Sequence, residues 1–408
     1  MVTVWINTFI ISILIFMVAY VSNAGFLTVI PTLIIIAVSS YTLLKILKRT
    51  SFTINHRIAR FFIVTVLLAL TFLFKYLIFF DSTGVTLALK IILYHLVFLS
   101  GLLIGFYEDL PFRDRSWLHI AIIFAIPVIF FILVAKDNPP SSALFVFNRN
   151  PFAGYTLSAS AILLGFGTRT QPITLLTYVA IVCIALLINS TLGALLAFIM
   201  AVLIYFAPRI LKNFKLIIGV ATLLVFILLP LGFLVMSLPG VENIIIFERL
   251  NFVHGLFQNM FRGYKGSWLD LDMATAVRFA PSGDLDMSAI FRILHWIDIF
   301  SVLSEGGNSA MLLGGGTDWI SENENRFTYR LAAHNEYVRI LVEQGLILGI
   351  SIIASIFAGI WSIRRSHFFI PLFSLTVYFA SENLINDFAT TSIFFFVLGH
   401  TIAFERRS

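Results

Sequence analysis

One stretch of this chain combines several side chains able to do chemistry. It runs His334-Asn335-Glu336-Tyr337-Val338-Arg339-Ile340-Leu341-Val342-Glu343-Gln344-Gly345. Asn335 is a natural N-cap, because its short amide can accept the free backbone N–H groups of a first helical turn. His334 then stands at a helix N-terminus, where the helix dipole disfavours imidazolium and favours the neutral ring that a general base needs. The same helix end attracts anionic groups such as a diphosphate. A loop-terminating polar residue at a membrane surface is the plainer account of His334. Arg339 lies three residues after Glu336 and four before Glu343, so it is either a ligand-binding cation or one half of an intrahelical ion pair.

Other cations are scattered around this segment. Arg292 is a candidate anion binder that could equally pair with Asp298 or Glu305. Arg278 and Arg149 are further candidates for phosphate contact or simple loop charges. Lys75 and Lys90 flank the turn Asp81-Ser82-Thr83-Gly84, each six residues from it. They either snorkel to the surface or guide an anionic lipid head inward. Glu382, Asn386 and Asp387 form a turn that could bind sugar hydroxyls or simply be solvated. His95 and His400 sit in apolar runs and read as structural. Gly314-Gly315-Gly316 lacks the lysine and strand–helix setting of a nucleotide loop. No cluster has metal-ligand spacing, and Cys183 stands alone.

The elements that must position these groups are apolar. Of 408 residues, 59% are hydrophobic and only 12% charged, with a mean hydropathy of +0.98. Soluble domains carry roughly twice that share of charge, so a soluble enzyme and a nucleic-acid-binding domain are both excluded. Twelve apolar segments are expected, near 4–22, 26–44, 61–80, 85–106, 118–135, 152–167, 172–188, 191–207, 216–236, 335–360, 368–383 and 388–404. This describes an all-α integral membrane protein. The short loops hold 15 basic residues on one side and only Lys136 and Arg149 on the other. The positive-inside rule then places both termini in the cytoplasm. The expected organisation is transmembrane helices over 1–236, one large outer loop over 237–333, and transmembrane helices over 334–408. That loop holds 11 acidic and 7 basic residues. Val241–His254 and Ser288–Leu303 within it have the pattern of amphipathic helices.

With these features assembled, the chain resembles the O-antigen polymerase and O-antigen ligase superfamily. The resemblance rests on His334-Asn335 followed after nine residues by Gly345. It also rests on Arg292-Ile293-Leu294-His295-Trp296 and on Leu312-Leu313-Gly314-Gly315-Gly316 upstream. Two departures stand out. Gly345-Leu346-Ile347-Leu348-Gly349 is one residue longer than the family's Gly-Leu-Leu-Gly, and Ser190-Thr191-Leu192-Gly193 lacks the family's Ser-Arg-Gly arginine. Both lean toward a divergent polymerase.

The resemblance implies a GT-C-like glycosyltransferase of the bacterial inner membrane, working at the periplasmic face. It would move a growing glycan from undecaprenyl diphosphate to a lipid-linked repeat unit. No cofactor or metal is implied, and a chain-length regulator is an expected partner. His334 and Arg292 would be catalytic, with Arg292 in the place of the family's loop arginine. Arg278, Arg339, Arg149, Lys75, Lys90, Asn335 and Glu336 would contact substrate. The alternatives are an O-antigen ligase acting on lipid A core and, from another class, a flippase or transporter of lipid-linked oligosaccharide.

Overall fold

The computed structural model of the protein describes residues 1–22, 29–48, 63–68, 84–107, 121–135, 149–166, 172–189, 191–210, 288–316, 319–328, 334–382 and 387–407, with isolated positions between them. Everything described is helix or connection. The elements are α1 (Val2–Ser22), α2 (Val29–Leu47), α3 (Gly84–Tyr107), α4 (Ile126–Phe130), α5 (Arg149–Phe166), α6 (Pro172–Ile188) and α7 (Leu192–Ile210). They continue with α8 (Ser288–Glu305), α9 (Gly307–Leu313), α10 (Trp319–Glu322), α11 (Glu336–Ser362), α12 (Phe369–Tyr378) and α13 (Phe388–Arg407). Wider π-type turns, Ala121–Ala125 and Phe131–Ala135, flank α4, with Pro127 in its first turn. α8 realises the amphipathic helix expected from Ser288. Val241–His254 and the segment 216–236 lie outside the described residues.

Among the described residues, α1 and α2 are long and apolar enough to cross a bilayer, and so by total length is α11, which Gly345 divides. Shorter apolar helices accompany them, among them Ile92–Phe106, Leu192–Pro208 and Ala389–Glu405. Val18, Leu33, Leu133 and Leu203 stand exposed along their sides. Such surfaces suit acyl chains rather than water. The chain is thus a multi-pass helical membrane protein in its broad design.

The chain divides into two compact units, Met1–Lys212 with Ile352–Ser408, and Asn213–Ser351. In the first, α13 packs along α3, and α12 packs on α7 and α5. The α3–α13 contact is a backbone approach. A Cβ on Gly101 would lie 2.2 Å from the Phe396 carbonyl oxygen, and one on Gly105 2.2 Å from that of His400. Gly101 and Gly105 are spaced as the small residues that let membrane helices touch. Polar pairs lock the helices further: Trp5 Nε1 donates to Thr42 Oγ1 at 3.1 Å, and Ser158 Oγ to the Thr390 carbonyl at 2.9 Å. Tyr205 joins His367 at one end of this unit and Asn150 joins Glu382 at the other, 2.6 and 2.7 Å apart.

Among its described residues, the second unit has a small core. Ile299, Val302 and Leu303 of α8 pack with Ile320, Phe327, Val338 and Val342, and Trp296, Phe300 and Trp319 close over them. α8 is in this way fixed to the part of α11 that follows His334.

Candidate functional site

Asn335 is the cap that the sequence calls for. Its Oδ1 accepts the backbone N–H of Tyr337 at 2.9 Å and of Val338 at 3.1 Å. His334, immediately before it, has φ 46°, the one left-handed non-glycine residue among those described. That conformation is uncommon for a side chain with a Cβ, and residues held there cluster at functional sites. The ring is half-buried, so it is held by the protein and still within reach of a second molecule.

The next turns bury ionic groups. Glu336 is wholly buried, and Arg339, Glu343 and Gln344 are nearly so. The Arg339 guanidinium donates to Glu336 Oε1 and lies 3.9 Å from Glu343 Oε2. Of the two readings open for Arg339, the geometry favours the ion pair. The guanidinium is thus already engaged by two carboxylates of its own helix. Glu336, a candidate substrate contact, is part of this group.

α11 is not one straight helix. Gly345 has φ 79° and ψ 168°, a break inside the apolar segment expected to run from 335 to 360. The chain doubles back there, so that a Cβ on Gly349 would lie 3.1 Å from the Ile340 carbonyl oxygen. The physical reason lies in the glycine run upstream. Gly315 N–H donates to the Val342 carbonyl at 2.9 Å and Gly316 N–H to that of Glu343 at 3.2 Å. These acceptors would otherwise end a helix without partners. The approach is so close that a Cβ on Gly345 would sit 2.3 Å from the Leu312 carbonyl oxygen, and one on Gly314 2.4 Å from that of Glu343. The Gly314–Gly316 run, which is no nucleotide loop, is a backbone cap for the His334 helix.

Arg292 lies half-buried on α8. Of the two carboxylates offered as its partners, Asp298 accepts the Thr328 N–H on Oδ2 at 2.7 Å, and Glu305 pairs with Arg326. His334, Asn335, Glu336 and Arg339 thus come together at one helix start, and Arg292 stands on the helix packed against it. Arg278, Lys75 and Asn386 lie outside the described residues. Arg149 begins α5 and Lys90 is in α3, but their side chains are outside the described set. Among the described residues, no three His, Cys, Asp or Glu side chains group as a metal site.

A solvated turn is the wrong picture for Glu382 and Asp387, which are 7% and 5% exposed. Besides Asn150 and Glu382, this end of the first unit holds a hydrogen bond from Thr390 Oγ1 to Asp387, and one of 2.8 Å from Thr391 Oγ1 to the Leu384 carbonyl. Burial pushes the Asp387 carboxyl up to about 6, against the opposing pull of the Thr390 hydroxyl and the Thr390 and Ala389 N–H groups. Asn150 was within sight in Asn148-Arg149-Asn150-Pro151, but nothing local marks it as the partner of a carboxylate 232 residues away. His95 lines an apolar cavity with Phe98 and Leu398, and the backbone of His400 lies against Gly105.

The class that the fold defines is a multi-pass helical membrane protein with a buried ionic group and a strained histidine at one helix start. No protein family, no curated protein and no solved structure matches the chain.

Proposed function

We propose that the protein is a glycosyltransferase that uses a polyprenyl-diphosphate-linked saccharide, in the manner of an O-antigen polymerase. The observation that carries this reading is His334, half-exposed in a left-handed conformation on a well-capped helix. In the reaction, the His334 imidazole takes the proton from an acceptor sugar hydroxyl. That oxygen bonds to the anomeric carbon of the donor glycan, and the bond from that carbon to the diphosphate oxygen breaks. The electron pair leaves with the undecaprenyl diphosphate, whose charge Arg292 stabilises. Asn335 orients the helix start. Arg339 holds Glu336 and Glu343 rather than the diphosphate. The site faces the periplasm and the termini the cytoplasm, an orientation that rests on the asymmetry of the basic loops.

Purified protein supplied with lipid-linked repeat units provides the test. His334→Ala should lower polymer formation by roughly 10²–10⁴-fold while leaving donor binding intact. Arg292→Ala should lower it by about 10²–10³-fold and weaken donor binding, with Arg292→Lys only a partial rescue because an ammonium cannot bind two oxygens in parallel. Normal polymer from His334→Ala would end the proposal. Lipid A core added as acceptor separates a ligase from a polymerase.

A second reading has one observation in its favour. The break at Gly345, beside buried Glu336, Arg339 and Glu343, has the form of the discontinuous helices that carry sites in transporters. Translocation of lipid-linked oligosaccharide into proteoliposomes without polymer formation would support it.

A further inference from the structure

The first unit contains a cavity of about 530 Å³, lined by Ile204, Tyr205, Ala207 and Pro208 at the end of α7, by Trp361, Arg364 and Arg365, and by Phe369. It lies at the opposite end of α7 and α12 from the buried Glu382. Its walls are apolar, and among the described residues its charged lining is two exposed arginines and no acidic residue. Arg364 is held in place: its Cζ is 5.1 Å from the centre of the Trp361 ring, and its Nη1 donates to the Trp361 carbonyl at 3.2 Å. The turn that carries both arginines is tied to α7 by the 2.6 Å hydrogen bond between Tyr205 and His367. Phe369, the first residue of α12, brings the positive end of that helix dipole to the same cavity.

We propose that this cavity binds an anionic glycerophospholipid. The phosphate lies between Arg364 and Arg365, and an acyl chain lies along Ile204, Pro208 and Phe369. A free phosphate would leave the apolar walls unused, and a zwitterionic lipid, with no net charge, would bring a cation of its own to two arginines and offset neither, whereas a singly anionic head offsets one of the two charges. Basic pockets between membrane helices on the cytoplasmic side take anionic heads for this reason. The basic-loop asymmetry puts Arg364 and Arg365 on that side. The inference is independent of the glycan chemistry proposed above.

The test uses the full-length protein in a neutral detergent, with bound lipid counted by native mass spectrometry and thermal unfolding followed in parallel. Dioleoyl phosphatidylglycerol should bind and raise the unfolding temperature, while dioleoyl phosphatidylcholine and inorganic phosphate should do neither. Arg364→Ala with Arg365→Ala should weaken phosphatidylglycerol binding roughly tenfold to thirtyfold. Ala207→Trp, which keeps both arginines and fills the cavity, should weaken it as well, so the result does not depend on the double variant folding normally. Undiminished phosphatidylglycerol binding in Ala207→Trp would overturn the proposal. So would equal binding of phosphatidylcholine, and inorganic phosphate alone reproducing the shift would replace the lipid with a free anion.

Discussion

Two buried carboxylate clusters in this molecule solve the same problem differently. At the start of α11, Glu336 and Glu343 share the guanidinium of Arg339. At the start of α13, Thr390 donates to Asp387 and Asn150 to Glu382, both neutral donors. Both helices begin with an Asx residue, Asn335 in one case and Asp387 in the other, and both place acids where water is scarce. In the first cluster the charge is met by an opposite charge. At Asp387, in the second, the burial is met by a shift of that carboxyl toward its protonated form. The first should therefore be sensitive to loss of its cation, and the second to pH.

The largest effect should come from Arg339. Arg339→Met leaves two buried carboxylates facing each other, and removal of one partner from a buried ionic group destabilises by about 3–5 kcal/mol. Thermal unfolding in detergent would show it. The triple change Glu336→Gln, Arg339→Met, Glu343→Gln should recover much of the loss. If Arg339→Met alone is neutral, the charge pairing is not what holds this helix start.

A smaller effect is expected at Asp387. Its carboxyl titrates near 6 in the folded protein against an ordinary 3.8, so the folded state holds its proton more tightly than the unfolded one. That stability is fully present below about 4 and is lost as pH rises through about 6, an upper bound on the order of 3 kcal/mol. Wild-type protein should lose unfolding temperature between pH 4 and 7 relative to Asp387→Asn, whose profile should be flatter there. A parallel pair of profiles would place Asp387 among the ordinary ionised caps.

The smallest effect is the cap itself. Asn335→Ala removes two backbone hydrogen bonds and should destabilise by about 0.5–2 kcal/mol, independent of pH. It should also loosen His334, so turnover should fall more than stability predicts. A drop in stability with unchanged turnover would separate the cap from the site.

Much of the first cluster was legible along the chain. Asn335 before an apolar run is a cap in any context, and acids at i−3 and i+4 from Arg339 meet it on any helix. The membrane character followed from composition and from the length of the apolar segments. Gly101-Leu102-Leu103-Ile104-Gly105 carried the signal for the α3–α13 contact, though its partner, Gly399 with its neighbours, was not identifiable from spacing alone. What stayed hidden was every feature that depends on distant residues meeting. A glycine within an apolar helical segment is locally compatible with a continuous helix, so Gly345 gave no sign of a break.

The sequence by itself determined helix content, membrane class, the Asn335 cap and the local ion pair, because each depends on residues within a turn or two of one another. Only the tertiary structure decided that α11 breaks at Gly345, because the N–H groups that take its carbonyls come from Gly315 and Gly316, across an intervening loop. It also decided that Glu382 and Asp387 are buried and that Arg364 and Arg365 line a cavity. Burial and enclosure depend on which helices pack together, and helices from opposite ends of a chain choose their neighbours through contacts that no local pattern records.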